Sequence, residues 1–303
     1  MSTMKSRDPF YFLLLFFTAL FWGGSFVFTK YLLNFQTPTF IIFFRLVIAS
    51  ILMIAICLIF FRKELIIPKK SIPQILILSL FEPFFYFIFE TYSLQYSEAS
   101  VVSIIIATIP LFTALISKYY FKEAFSKLNF LGVIISFGGI LVMLSPNISQ
   151  LAGNMTGVLL AFCAVITSIA YSVTLKKIPQ TIHPVAVITY QNFIGLFLFL
   201  PLFLILNTKS QISNGIASLD NFQNLLFLII LAIFCSSLAF IFYIKGLRYL
   251  GLGKANTFTN LIPVITAILS FIILNENFPV NKIFGIIIVV TGLFLVQKKK
   301  ISA

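Results

Sequence analysis

Residues 94–125 read LQYSEASVVSIIIATIPLFTALISKYYFKEAF, and residues 247–278 read LRYLGLGKANTFTNLIPVITAILSFIILNENF. A shift of 153 residues lays one on the other without a gap. It pairs Leu94 with Leu247, Tyr96 with Tyr249, Pro110 with Pro263, Thr113 with Thr266, Ser117 with Ser270, Glu123 with Glu276 and Phe125 with Phe278. Further on, Gly132 falls on Gly285 and Gly139 on Gly292. A sequence rich in Ile, Leu and Phe matches apolar residues by chance, but hardly Pro, Glu, Tyr and two glycines in one register. The chain is therefore an internal duplication. Near the start of each half the offset is slightly smaller, pairing Ala19 with Ala164 and Pro38 with Pro184. The expected repeats are residues 1–150 and 151–303.

What is duplicated is a set of membrane spans. The chain is 60% hydrophobic and 10% charged, with a mean hydropathy of +1.09. That is too little charge to cover a soluble domain, so lipid is the expected solvent. Apolar runs of helix-spanning length are expected at about 10–33, 38–61, 72–93, 99–120, 128–145, 156–177, 184–206, 223–246, 254–274 and 281–297. The first run is too long for the core of a signal peptide, and reads as a membrane helix. Five spans per half is an odd number, so the second half must enter the bilayer from the opposite side. The expected fold class is all-α integral membrane, with ten transmembrane helices arranged as two inverted-topology five-helix repeats.

The basic residues agree. With the N-terminus inside, seventeen Lys and Arg fall on inner loops, from Lys5 and Arg7 to Lys298, Lys299 and Lys300. Three (Lys30, Lys209, Lys282) fall outside and Arg45 lies within a span, which accounts for all 21. Such asymmetry predicts cytoplasmic termini. The net charge of +13 is dispersed in short clusters, not gathered into the stripe that a nucleic-acid binder presents. Lipid and a small solute are the expected partners, and no nucleic acid. Cys57, Cys163 and Cys235 lie in apolar runs without metal-ligand spacing, so no metal and no cofactor is expected.

The chain resembles the drug/metabolite transporter superfamily, in its ten-helix EamA branch. The resemblance rests on Phe21-Trp22-Gly23, Arg45-Leu46, and the doubled Leu-x-Tyr motifs at Leu94 and Leu247, each followed fourteen residues after its Tyr by Pro110 or Pro263. Glu123 and Glu276, each nine residues before a Gly, complete the pattern. It covers nearly the whole chain. It implies movement of a small organic solute, often an amino acid or related metabolite, with a bacterial inner membrane as the setting and export as the expected direction. One departure is the acidic stretch from Phe81-Glu82-Pro83 to Glu90, where the general pattern is mostly apolar.

Ionisable groups inside lipid are costly, and they are usually functional or paired. Glu82 lies near the middle of the third span, directly before Pro83. Glu90 follows eight residues later, roughly 80° around a regular helix, so both carboxyls are expected to face one cavity. The repeat register pairs Glu82 with Cys235, so the shared scaffold does not demand the acid. An Arg45–Glu90 pair is one reading; it would leave Glu82 unpartnered and suited to exchanging a proton during transport. Pro110 and Pro263 interrupt corresponding spans, and paired interruptions of this kind point to a transporter's binding site. Thr108, Tyr86, Gln191, Asn192 and Asn260 are candidate polar contacts, and Trp22 and Tyr171 candidate lining rings. Simple helix bending explains the prolines as well.

Gly132 and Gly139 are seven apart, as are Gly285 and Gly292, which gives each helix a smooth seam. The seams serve either to join the halves or to build a homodimer, and the spacing leaves both open. An intramembrane enzyme fits poorly. The only aspartates, Asp8 and Asp220, lie outside the spans, the only histidine is His183, and Gly253-Lys254 lacks the earlier glycine of a phosphate loop. A passive channel or lipid scramblase is the remaining alternative to a carrier.

Overall fold

The computed structural model describes residues 8–123, 126–144, 155–277 and 279–297. The basic residues Lys5, Arg7 and Lys298 to Lys300, the boundary at 150/151, and Phe125 and Phe278 lie outside them.

Among the described residues ten apolar helices follow one another: α1 (Asp8–Leu32), α2 (Pro38–Phe60), α3 (Lys69–Tyr96), α4 (Ala99–Tyr119), α5 (Lys127–Leu144), α6 (Met155–Lys177), α7 (Pro184–Leu206), α8 (Phe222–Leu250), α9 (Leu252–Leu274) and α10 (Val280–Gln297). Eight are long and apolar enough to cross a membrane, and α5 and α10 are the two shorter ones. Large apolar side chains such as Phe60 and Ile205 are about three-quarters exposed on the outside of the bundle, which is where lipid takes the place of water. This is a multi-pass membrane protein.

Local chemistry sets the ends. The Thr37 hydroxyl accepts from the Phe40 amide, and Pro38 occupies the first turn of α2, where a missing N–H costs nothing. His183 plays the corresponding part for α7, its Nδ1 accepting from the Val185 amide ahead of Pro184. Burial holds its imidazole below the ordinary histidine value. After α4 and after α9 the chain turns through a left-handed residue, Lys122 (φ 53) and Asn275 (φ 55). These are counterparts in the 153-residue register, so the two halves share this backbone detail as well as side chains.

Packing follows the duplication. α1 packs on α8 and α9, and the counterpart of α1, α6, packs on α3 and α4. Three helices pack on their own counterparts: α2 on α7, α4 on α9 and α5 on α10. Most of each half's close neighbours thus come from the other half. The glycine seams meet face to face. A Cβ on Gly132 would lie 2.6 Å from the Gly292 carbonyl oxygen, and one on Gly139 2.7 Å from that of Gly285. The seams join the halves.

Candidate functional site

Four helices are interrupted at corresponding depths. α3 widens to a π-helical turn over Leu80–Phe85, where Glu82 takes extended angles (φ −150, ψ 121) before a cis peptide to Pro83. The Pro83 ring fits against Gly195 of α7, where a Cβ would collide with it. α8 widens likewise over Leu231–Leu238, which contains Cys235. α4 breaks into Ala99–Ile106 and Ile109–Tyr119, and α9 breaks at the 3-10 turn Phe258–Leu261. Pro110 and Pro263 do not sit at these breaks. Each opens the helical segment that follows, as its second residue.

Between the broken helices lies a cavity of about 30 Å³, lined mostly by buried side chains. That is room for one or two water molecules. Trp22 of α1, Arg45 of α2, and Glu82, Tyr86 and Glu90 of α3 line it, five of the residues singled out in the sequence. Ser25, Phe87, Ser168, Phe240 and Thr259 also line it, and no sequence signal distinguished them from other residues of their helices. Tyr171 and Gln191 stand outside the lining, hydrogen-bonded to one another at 3.3 Å, with the Tyr171 ring edge-on to Phe240. Thr108, Pro110, Asn260 and Pro263 are not lining residues; their neighbours Ile106, Ile109, Thr259 and Ile262 are.

Arg45 is fully buried. Its guanidinium lies 3.9 Å from the centre of the Phe87 ring, and its Nε donates to the Ser236 hydroxyl of α8. Asn192 donates to the Ser236 carbonyl at 3.3 Å, so α2, α7 and α8 are tied at one point. Arg45 makes no contact ion pair with Glu90, contrary to the pairing expected from their heights. Instead Arg45 Nη1, Glu90 Oε2 and Trp22 Nε1 are all buried without a hydrogen-bond partner. Three such atoms around one cavity offer two donors and one acceptor to whatever occupies it, since a buried polar atom without a partner costs about 1–3 kcal/mol. Among the described residues no cluster of His, Cys, Asp and Glu suits a metal ion.

Known proteins resemble the chain over almost its whole length. The EamA-like transporter family model matches the chain twice, over residues 9–145 and 155–297. An uncharacterized transporter of Archaeoglobus fulgidus is 25% identical, covering 93% of this chain and 97% of its own length. Two Bacillus subtilis proteins named as uncharacterized transporters, YetK and YvbV, are also 25% identical, over 84% and 95% of this chain and 77% and 91% of theirs. One solved crystal structure superposes with a TM-score of 0.73 at 16% identity, covering 96% of this chain and 98% of that one, a likeness of fold.

Proposed function

The chain belongs to the EamA-like transporter family, and from that premise we propose that it is a secondary active carrier of a small organic solute. The solute binds where the broken helices of the two repeats meet, and the halves rock to open that point alternately to each side. The three unpartnered polar atoms at the cavity support this reading most directly. Arg45 and Trp22 offer donors, while Glu90 offers an acceptor, with Glu82 beside them. A small amphoteric solute, such as an amino acid or a related metabolite, presents the complementary groups. Glu82 and Glu90 are the groups that take up and release a proton in the cycle, and net movement is outward. The setting is a bacterial inner membrane with both termini cytoplasmic, in keeping with the basic loops.

Metabolite profiles of medium and cytosol, from cells carrying the wild type or Glu82→Gln at equal membrane level, test this. One metabolite displaced by the wild type and not by the variant is the expected outcome. Uptake in proteoliposomes should then saturate, respond to a pH gradient and show trans-stimulation. Flux that rises linearly with concentration would replace the carrier with a channel or scramblase.

A further inference from the structure

The near face of the bundle is taken as the one where α1 begins, and the far face as the one where it ends. Glu123 follows α4 at the near face, and its carboxylate leaves its own half. Oε1 accepts from the Leu252 amide at 3.0 Å and meets Lys176 Nζ at 2.7 Å, while Oε2 accepts from the Ser117 hydroxyl. Leu252 starts α9 and Lys176 ends α6, so apart from Ser117 these partners belong to the second half. Gly251 (φ 90) makes the approach possible, because a Cβ there would lie 2.8 Å from the carboxylate.

Glu276 repeats the arrangement at the far face. It follows α9 and accepts from the Ala99 amide at 3.2 Å and the Ser100 hydroxyl at 2.6 Å, at the start of α4 in the first half. Ala99 and Leu252 differ by 153, as do Glu123 and Glu276. Lys30 stands at the end of α1 where Lys176 stands at the end of α6, a difference of 146 that also separates Pro38 from Pro184. The Lys30 ammonium is held by the Leu94 and Ser97 carbonyls at 2.6 and 2.9 Å, within electrostatic reach of Glu276. In both places the glutamate amide bonds back to a serine carbonyl, Glu123 to Ser117 at 3.0 Å and Glu276 to Ser270 at 3.1 Å.

We infer that Glu123 and Glu276 are the two gate residues of the carrier, one clamping α4 to α9 at the near face and the other clamping the same two helices at the far face. The inference rests on the alternating-access reading above. Both clamps are closed here, in line with the small central cavity. Opening either face requires α4 and α9 to part there, so one clamp must break while the other holds. At the near clamp Lys176 meets the carboxylate directly, whereas at the far clamp its counterpart Lys30 is held by the Leu94 and Ser97 carbonyls, and the Ser270 hydroxyl, counterpart of the Ser117 donor, stays buried and unpartnered.

The test is side-specific labelling of the full chain, with Cys57, Cys163 and Cys235 replaced by Ala and a reporter introduced as Ser25→Cys at the cavity. A membrane-impermeant maleimide is added to right-side-out or inside-out vesicles. Glu123→Gln should raise labelling from the near face about tenfold, the shift that removing roughly 1.4 kcal/mol of bias gives, and lower it from the far face. Glu276→Gln should do the reverse. Glu123→Asp, which keeps a carboxylate to accept from the Leu252 amide, should return labelling toward the wild type, which a folding defect at this position would not. Equal changes at both faces, or none, overturn the gate assignment. Sided labelling shifts without detectable transport leave the gates standing and count against the carrier reading. Saturable transport without sided shifts does the opposite.

Discussion

At the scale of single residues, Arg45, Glu82 and Glu90 set the cost and the use of the site. Arg45 is held by Phe87 and Ser236 without a contact ion pair, so removing its charge leaves the structure tied through Asn192 and Ser236. Arg45→Gln is therefore expected to insert and fold, yet to lower solute affinity at least tenfold, measured as the concentration for half-maximal uptake. Glu123 makes a different prediction. Burial opposes its ionisation, but Lys176, Ser117 and the Leu252 amide outweigh it and hold the carboxyl below the ordinary value. A carboxyl whose value is depressed on folding stabilises the fold above the unfolded value and loses that contribution as pH falls through the folded one. The melting-temperature gap between wild type and Glu123→Gln should be full at neutral pH and close below about pH 4.3. A gap that persists unchanged in acid would assign the effect to shape and not to charge.

At the scale of helices, the α5–α10 seam has no give. The atoms that a side chain on Gly139 would meet include the Gly285 carbonyl oxygen and the Val289 amide nitrogen, both at 2.7 Å, and backbone cannot rotate aside. Gly139→Val should cost about 3 kcal/mol, seen as a lowered melting temperature in detergent. Gly138, with open space around its Cβ position, should accept Ala with little change. Much of this level was legible beforehand. The duplication and the glycine spacing follow from chain chemistry alone, and the ten expected spans agree with the observed helices within a few residues. The breaks were half legible. Proline marks where a helical segment begins but not where the previous one ends, so Pro110 and Pro263 signalled interruptions that lie just before them. Trp22, Arg45, Glu82, Tyr86 and Glu90 stood out because charge and large rings are conspicuous in apolar sequence, whereas Ser25 or Phe240 differ from dozens of similar residues only by position. The glutamates at 123 and 276 were visible as a repeat, yet their cross-half partners were not, because a two-residue helix end gives no hint of what it touches.

For the whole molecule, the two repeats are not neighbours but interlocked. Among the described residues, the main helix pairs that join the halves have a counterpart or are their own counterpart. The repeats expressed as separate chains should consequently recover transport only together, and a size measurement should find them as a one-to-one complex. Recovery by one repeat alone would contradict the central site, whose lining comes from both.

The interlocking also bears on synthesis. A ribosome delivers α1 to α5 first, and at that moment Arg45 has no Ser236, Glu123 has neither Lys176 nor Leu252, and the glycine face of α5 has no α10. The nascent first half is a membrane protein with its buried charges facing the wrong surroundings. Until α10 emerges, these groups wait for partners that only the second half supplies.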